Sequence, residues 1–242
     1  MPTLPFTDCT RLLVLTGAGI SAESGVPTFR GMNGLWEGHR LEEVASPEAF
    51  ARDPALVWRF YAMRRRGLSG IVPNAAHHAL AAIEARLAER FLLITQNVDS
   101  LHAAAGSSRL FELHGNLMRS KCSQCGQPPF DDRQAYAEGI IPRCEHCDGP
   151  VRPDIVWFGE PVNGAALQAI SAFVDLPGEL LFLAVGTSGL VYPAAALVQV
   201  ARLRGGTSWL INADAAANAE HFDHVLTGAA GELLPRLLGV LR

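Results

Sequence analysis

The stretch Leu12-Leu13-Val14-Leu15-Thr16-Gly17-Ala18-Gly19-Ile20-Ser21-Ala22-Glu23-Ser24-Gly25 decides the fold. An apolar run of strand length passes directly into a glycine loop, and Gly17, Gly19 and Ala22 fit the pattern G-x-G-x-x-G/A. Small residues at those places permit a tight turn and let backbone N–H groups approach a pyrophosphate at a helix N-terminus. Taken alone, the pattern also suits a tight strand-to-helix turn that binds nothing. A dehydrogenase of this architecture would continue to a second strand ending in an acidic residue about 20 positions on. This chain instead runs Gly25-Val26-Pro27-Thr28-Phe29-Arg30-Gly31 into an aromatic and charged segment, which argues against hydride transfer.

Outward from the loop, short apolar runs alternate with helical patterns. Strands are expected at Leu12–Leu15, Phe91–Ile94, Leu110–Glu112, Leu180–Val185 and Trp209–Ile211. Ala79, Leu80, Ile83 and Leu87 recur at helical spacing, so a helix over 75–90 precedes the second strand. The alternation predicts an α/β fold with a Rossmann-like, doubly wound parallel sheet. Two segments break it: 31–73, read as a helical insertion, and 117–151, which holds four cysteines. They are expected to form a smaller zinc-binding and helical lobe. The large domain would then be discontinuous, over 1–31, 74–116 and 152–242, with a helical module at 32–73 and a zinc module at 117–151.

The chain has 242 residues, a formal charge of −4, 49% hydrophobic and 18% charged residues. Those proportions exclude a disordered chain and suit one or two packed domains. Mild acidity excludes a dedicated nucleic-acid or membrane-surface binder, which would carry a basic excess. Met1–Thr10 lacks the pattern of a secretory signal, and no run reaches the roughly 18 apolar residues of a membrane span, so a cytoplasmic protein is expected. Nineteen arginines against the single Lys121 read as genome composition. The sequence sets no oligomeric state, and a monomer is compatible with it.

Cys122-Ser123-Gln124-Cys125 and Cys144-Glu145-His146-Cys147 are separated by eighteen residues. That spacing predicts a closed, structural zinc site of four thiolates with no open position for water. The fifth cysteine, Cys9, is expected as a small buried apolar residue.

Polar clusters follow the expected strands: Thr95-Gln96-Asn97-Val98-Asp99, Leu113-His114-Gly115, Gly186-Thr187-Ser188 and Asn212-Ala213-Asp214. In open α/β sheets ligands bind at these strand ends, although each cluster alone is ordinary turn chemistry.

The run from Gly17 to Gly31, then Thr95-Gln96-Asn97-Val98-Asp99-Ser100-Leu101-His102, Leu113-His114-Gly115, the double CxxC and Arg152-Pro153-Asp154-Ile155-Val156-Trp157-Phe158-Gly159-Glu160 resemble, in order, the motifs of the sirtuins, NAD-dependent protein-lysine deacylases. Gly186-Thr187-Ser188 and Val191-Tyr192-Pro193-Ala194-Ala195 continue the likeness over nearly the whole chain. The resemblance implies that NAD is consumed as a co-substrate and that acylated lysine in a protein or peptide enters between the lobes. It implies that Gly17, Ala18, Gly19, Ala22, Thr28, Phe29 and Arg30 line the cofactor loop, with Phe29 screening the ribose from water. Gln96, Asn97 and Asp99 would face the nicotinamide end, with Asn97 and Asp99 counted with the catalytic residues. Gly186, Thr187, Ser188, Asn212, Ala213, Asp214 and Ala230 would hold the adenosine end. His114 would be the general base, since imidazole changes charge nearest neutral pH. Val156, Trp157 and Phe158, with Gly189, Leu190 and Val191, would supply backbone for peptide pairing.

Tyr61 and Arg64 are three residues apart in Trp58-Arg59-Phe60-Tyr61-Ala62-Met63-Arg64-Arg65-Arg66, so on a helix they share a face. A phenol beside a guanidinium can receive a carboxylate. Apart from the family, the run reads as a solvated basic helix with Tyr61 in the core. The spacing resembles the Tyr-x-x-Arg pair of class III sirtuins, which remove succinyl and malonyl groups, and Ala45 matches a small residue of that class. The expected activity is removal of succinyl, malonyl and acetyl groups. Two other readings are weighed against it: protein ADP-ribosyl transfer, and a non-catalytic NAD-sensing module, the latter disfavoured by the presence of His114, Asn97 and Asp99.

Overall fold

The computed structural model describes residues 3–28, 35–36, 39–134, 136–137 and 139–240. In chain order the elements begin with β1 (Thr10–Thr16), the two-residue strands β2 (Leu35–Trp36) and β3 (His39–Arg40), then the helices α1 (Leu41–Val44), α2 (Pro47–Arg52), α3 (Pro54–Gly67) and α4 (Ala75–Leu87). There follow β4 (Phe91–Thr95), α5 (Leu101–Ala104), β5 (Leu110–Glu112), β6 (Gly115–Cys122), β7 (Phe130–Asp131) and β8 (Val151–Ile155). The last part holds α6 (Gly164–Val174), β9 (Glu179–Val185), α7 (Leu197–Leu203), β10 (Thr207–Asn212), β11 (His224–Thr227) and α8 (Ala230–Leu237).

Every residue of β1 is buried, as a strand covered on both faces must be. It lies inside a six-stranded sheet ordered β11-β10-β9-β1-β4-β5, with every pairing parallel. Counted along the chain, these strands run 3-2-1-4-5-6 across the sheet, the doubly wound order. Alternation along the strands feeds two cores. Leu12 and Val14 face Leu80 and Ile83 of α4 and Leu234 and Leu237 of α8. Leu13 and Leu15 face Ile170 and Phe173 of α6 and Leu197 and Val198 of α7. Each buried leucine of this kind contributes about 1.5–3 kcal/mol.

The five expected strands are present. The sixth, β11, was not expected: its four residues are largely exposed, so it carries no apolar signature. Cys9 also departs from expectation. It is exposed, because its carbonyl is turned inward to accept from the Glu179 N–H (3.1 Å) while its side chain faces out.

The two interruptions do share a core. Val57, Phe60 and Tyr61 of α3 pack with Leu117, Val151 and Ile155 of the antiparallel sheet β7-β6-β8 and with Trp157. Arg65, in the middle of the arginine run, is buried rather than solvated. Its guanidinium donates to the Leu117 carbonyl (2.7 Å) and Ser120 Oγ (3.0 Å) and pairs with Asp132 at 3.2 Å. A buried arginine with a carboxylate and carbonyl partners clamps the helical module to the sheet.

Gly115 joins His114 to β6 with a φ of 86°, and a side chain there would collide with the Asp154 carbonyl. Gly115→Ala is expected to lower stability by about 2–4 kcal/mol, read as a lower urea midpoint. An unchanged midpoint would show that this crossing tolerates a Cβ.

Candidate active site

The sheet order reverses between β1 and β9, and there the turns after the two strands meet. Gly17 N–H donates to the Val185 carbonyl (2.9 Å) and Gly19 N–H to the Gly186 carbonyl (2.8 Å). A Cβ on Gly17 would lie 2.7 Å from the Gly186 oxygen, and one on Gly19 would lie 2.6 Å from the Gly186 Cα. The loop therefore enters a short 3-10 helix over Ala18–Ser24, and two of its amides serve the neighbouring turn rather than a ligand. Ala18 and Gly19 are half-buried at the crevice, while Ala22 and Thr28 are exposed. Phe29 and Arg30 lie outside the described residues.

Ser21 is the centre of a buried polar cluster. Its hydroxyl donates to Asp99 Oδ2 (2.7 Å) and accepts from Asn97 Nδ2 (3.1 Å). His77 Nδ1 accepts from the Asn74 N–H (3.3 Å), so its Nε2 carries the proton and points at Ser21 Oγ (3.4 Å). Asp99 Oδ1 takes the Leu101 N–H (3.0 Å). A second chain runs beside it: His102 Nε2 meets Thr16 Oγ1 (2.9 Å), which donates to Thr95 Oγ1 (2.8 Å), which accepts the Asn97 N–H (3.1 Å). The two imidazoles lie 4.8 Å apart. Burial pushes His77 down to about 4, against the pull of Asp99, and His102 down to about 3, helped by the neighbouring His77. Both rings are neutral at physiological pH. The sequence motifs point to Asn97 and Asp99 but not to Ser21, His77 and His102, whose only signal is a small polar residue inside the glycine loop and histidines in helical runs.

His114 is arranged differently. Its Nδ1 lies 3.1 Å from the Gln96 carbonyl, which can only accept, so Nδ1 carries the proton and Nε2 keeps its lone pair. Burial lowers its pKa, partly opposed by that carbonyl. A half-buried imidazole held in one tautomer with the other nitrogen unspent is a general base in waiting. The crevice continues through Gln96, whose Nε2 donates to Thr187 Oγ1 (3.1 Å), to Asn212, whose Nδ2 donates to the Thr187 carbonyl (3.0 Å). Ser188 is half-buried, and Ala213 and Asp214 are exposed beyond β10. Ala230 is buried at the start of α8, where Glu23 of the glycine loop accepts the Gly231 N–H (2.6 Å). Amides, hydroxyls and one carboxylate in a crevice at the switch point suit the ribose hydroxyls and carboxamide of NAD.

Cys122, Cys125, Cys144 and Cys147 bring their sulfurs within 4.8 Å of one another, with Cys122 to Cys147 at 3.5 Å and Cys125 to Cys144 at 3.7 Å. Four sulfurs at about 2.3 Å from a tetrahedral centre stand about 3.8 Å apart, so the set fits zinc. The N–H groups of Cys125 and Gln124 point at the Cys122 sulfur (3.3 Å each) and bring its thiol down to about 6.

At the other side of the cleft the structure gathers Tyr61, Arg64 and Trp157. Tyr61 is fully buried, and its hydroxyl accepts from Trp157 Nε1 (2.9 Å). Burial raises its pKa to about 12, against the nearby charge of Arg64, so it stays a donor at working pH. Arg64 is half-buried. Of the expected peptide-pairing segment, Val156 N–H goes to the His114 carbonyl (2.9 Å) and Phe158 N–H to the Ala45 carbonyl (3.0 Å). Trp157 N–H goes to Glu160 Oε2 (2.9 Å). These donors are spent inside the protein, and the Trp157 carbonyl in turn accepts the Glu160 N–H (3.0 Å). Phe158 and Leu190 are exposed large apolar side chains, 56% and 68% respectively.

A model described as the Sir2 family matches residues 17–193. The chain is 48% identical over 226 residues to NAD-dependent protein deacylase 2 of Pyrobaculum aerophilum, covering 93% of this chain and 89% of that one. It is 44% identical over 233 residues to the NAD-dependent protein deacylase of Salmonella typhimurium, covering 94% and 82%. Among solved structures, a Sir2 homolog–NAD complex is similar with a TM-score of 0.85 at 41% identity, over 95% of this chain and 88% of that one. A Sir2–p53 peptide–NAD+ structure is similar with a TM-score of 0.80 at 29% identity, over 95% and 92%. Among the described residues no helix is long and apolar enough to cross a membrane.

Two outcomes follow from this geometry. Because His77 and His102 have folded pKa values of about 4 and about 3, below the unfolded value of 6.5, the unfolded chain binds protons there first as pH falls. Stability from these rings is complete above about pH 6.5 and declines below it, by about 1.4 kcal/mol per pH unit for each ring. His102→Gln should remove one ring's share of that slope between pH 6 and 5, and an unchanged slope would contradict the burial of a neutral imidazole. Metal analysis of freshly purified, reduced protein should give one zinc per chain, and a chelator should lower the melting temperature. Protein free of zinc with the same melting temperature would show that no metal holds the cysteine cluster together.

Proposed function

This chain belongs to the Sir2 family, and from that premise we propose that it is an NAD-dependent protein-lysine deacylase whose acyl pocket accepts succinyl and malonyl as well as acetyl groups. The products would be lysine, free nicotinamide and O-acyl-ADP-ribose: NAD supplies the electrophilic ribose carbon, the acyl-amide oxygen displaces nicotinamide there, and water completes the balance. His114 Nε2 takes the proton of a ribose hydroxyl, because its Nδ1–H is held on the Gln96 carbonyl. Asn97 and Asp99 are fixed through Ser21, with both Asp99 oxygens already accepting hydrogen bonds, so the pair would meet the nicotinamide end without rearrangement. Thr187 and Asn212 orient the adenosine end. The four cysteines hold a structural zinc, and localisation in the cytoplasm is part of the same reading.

The observation that carries the acidic-acyl assignment is the Tyr61 hydroxyl. It accepts the Trp157 indole N–H, and the described residues offer no acceptor for its own proton. A buried donor left without a partner costs about 1–3 kcal/mol, which a carboxylate at the pocket end would recover. Arg64, on the same face of α3, adds the positive charge that such a carboxylate needs.

The test compares succinyl-, malonyl- and acetyl-lysine peptides by nicotinamide release, with products identified by mass. Arg64→Met is expected to lower kcat/KM for the succinyl peptide by about 10- to 100-fold and that for the acetyl peptide far less, since only the acidic group uses the charge. Equal losses would refute the pocket assignment. ADP-ribose found on protein instead of O-acyl-ADP-ribose would refute the deacylase reading.

A further inference from the structure

Trp157 is held from four directions. Arg152, itself buried, stacks its guanidinium 3.4 Å from the centre of the Trp157 rings. The same guanidinium grips Glu160 with both terminal nitrogens at 2.7 Å and donates to the Ile155 carbonyl at 2.7 Å. Glu160 Oε2 in turn accepts the Trp157 backbone N–H (2.9 Å), and the Glu160 N–H returns to the Trp157 carbonyl (3.0 Å). Phe50 closes the far side, its ring 5.5 Å away. Burial alone would raise the Glu160 pKa, but the hydrogen bonds from Arg152 and Trp157, with the arginine charge, hold it below the usual carboxylate range. The clamp is an ionised, bidentate pair with its arginine buried and its carboxylate partly exposed, and the two parallel hydrogen bonds fix its geometry.

The one polar atom of the indole points at the Tyr61 hydroxyl. A phenol O–H lies near the ring plane and has two in-plane orientations. The indole N–H requires an oxygen lone pair on its own side, so the Tyr61 proton is turned to the other. A donated hydrogen bond also polarises the phenol and strengthens its O–H as a donor. The one oxygen of an acetyl group is the amide oxygen that attacks the ribose, so an acetyl group offers no acceptor at its far end, whereas a succinyl or malonyl carboxylate does.

We propose that Trp157, held by Arg152 and Glu160, is a specificity-determining positioning residue that fixes the Tyr61 hydroxyl as a donor to the carboxylate of an acidic acyl group. This rests on the acidic-acyl reading of the pocket. Arg152 and Glu160 act through Trp157, and Trp157 through Tyr61.

Trp157→Phe keeps a ring for Arg152 to stack on and removes the indole donor together with the volume of the second ring. It is expected to lower the succinyl-to-acetyl ratio of kcat/KM by about five- to tenfold, through KM for the succinyl peptide rather than kcat. Glu160→Gln, which loosens the hold on Arg152 without removing a side chain, should shift the ratio the same way by about two- to threefold. Isotope-labelled full-length protein gives a second readout. The Trp157 indole N–H resonance should move in Tyr61→Phe, and should respond to succinyl-lysine peptide more than to acetyl-lysine peptide. A succinyl preference that Arg64→Met abolishes and Trp157→Phe leaves intact would overturn the positioning role alone. An indole resonance indifferent to Tyr61→Phe would do the same. Wild-type protein that does not remove succinyl groups would overturn the pocket reading and this role with it.

Discussion

The hydrogen bond from the Gly19 N–H to the Gly186 carbonyl, 2.8 Å long, joins the turn after β1 to the turn after β9. It is formed at the one place where the sheet order reverses, so the chain leaves these neighbouring strands toward opposite faces and opens a crevice between them. The backbones meet so closely that neither Gly17 nor Gly19 has room for a methyl group. The first duty of the glycine pattern is thus contact between two turns. The ligand crevice is the space beside that contact, and the side chains that line it are set by it. Ser21 follows Gly19 by two residues, Thr187 adjoins Gly186, and Gln96 reaches across to Thr187. A displacement of either turn would move all three.

Within the crevice, polar groups divide into spent and unspent. Ser21 Oγ accepts from Asn97 and His77 and donates to Asp99, which uses its capacity in full. Ser100, next to Asp99, is held at a φ of 65°, a conformation uncommon outside glycine, and its hydroxyl is tied to Asn116. Such a network cannot adjust during a reaction, which is what electrostatic preorganisation requires. His114, half-buried at the crevice, is arranged differently. One nitrogen is fixed by a carbonyl that determines the tautomer, and the other is left available. Fixed groups suit the orientation of a substrate, and the available nitrogen of His114 suits the acceptance of a proton.

Features encoded by neighbours in sequence are legible from the residues alone. The strand and glycine loop, the helix over 75–90 and the paired CxxC motifs are local patterns, and each has one geometry that satisfies it. Tyr61 and Arg64 are legible as a pair because helix spacing alone puts them on one face. What escapes is non-local. Arg65 looks like its solvated neighbours, and only the arrival of Leu117, Ser120 and Asp132 from the cysteine module makes it a buried clamp. Ser21 reads as a loop filler until His77, 56 residues away, comes to meet it. The strand β11 has no buried face to mark it, since it pairs by backbone with β10 at the sheet edge. The glycine loop is legible only in part for a related reason: the pattern names residues that allow close approach, and does not say that the neighbouring turn takes two of its amides.

One strand pair connects the remaining parts. β6 and β8 run antiparallel, with Cys122 opposite Val151 at one end and Gly115 opposite Ile155 at the other. The cysteine end carries the cluster that fits zinc, and the other end adjoins His114 and Trp157. Just beyond it, the Val156 N–H is bonded to the His114 carbonyl, so the base and the segment bearing Trp157 are fastened backbone to backbone. From the flank, α3 braces the pair twice, through Trp58 Nε1 on the Val151 carbonyl (2.9 Å) and Arg65 on the Leu117 carbonyl. The helix that supplies Tyr61 and Arg64 is therefore anchored to the same two strands whose ends adjoin His114 and Trp157. A closed set of four thiolates offers no position for water and does no chemistry itself. Its place in the architecture is mechanical: a metal there would hold the far end of β6 and β8, and so the spacing between His114 and the paired Tyr61 and Trp157 at the other end.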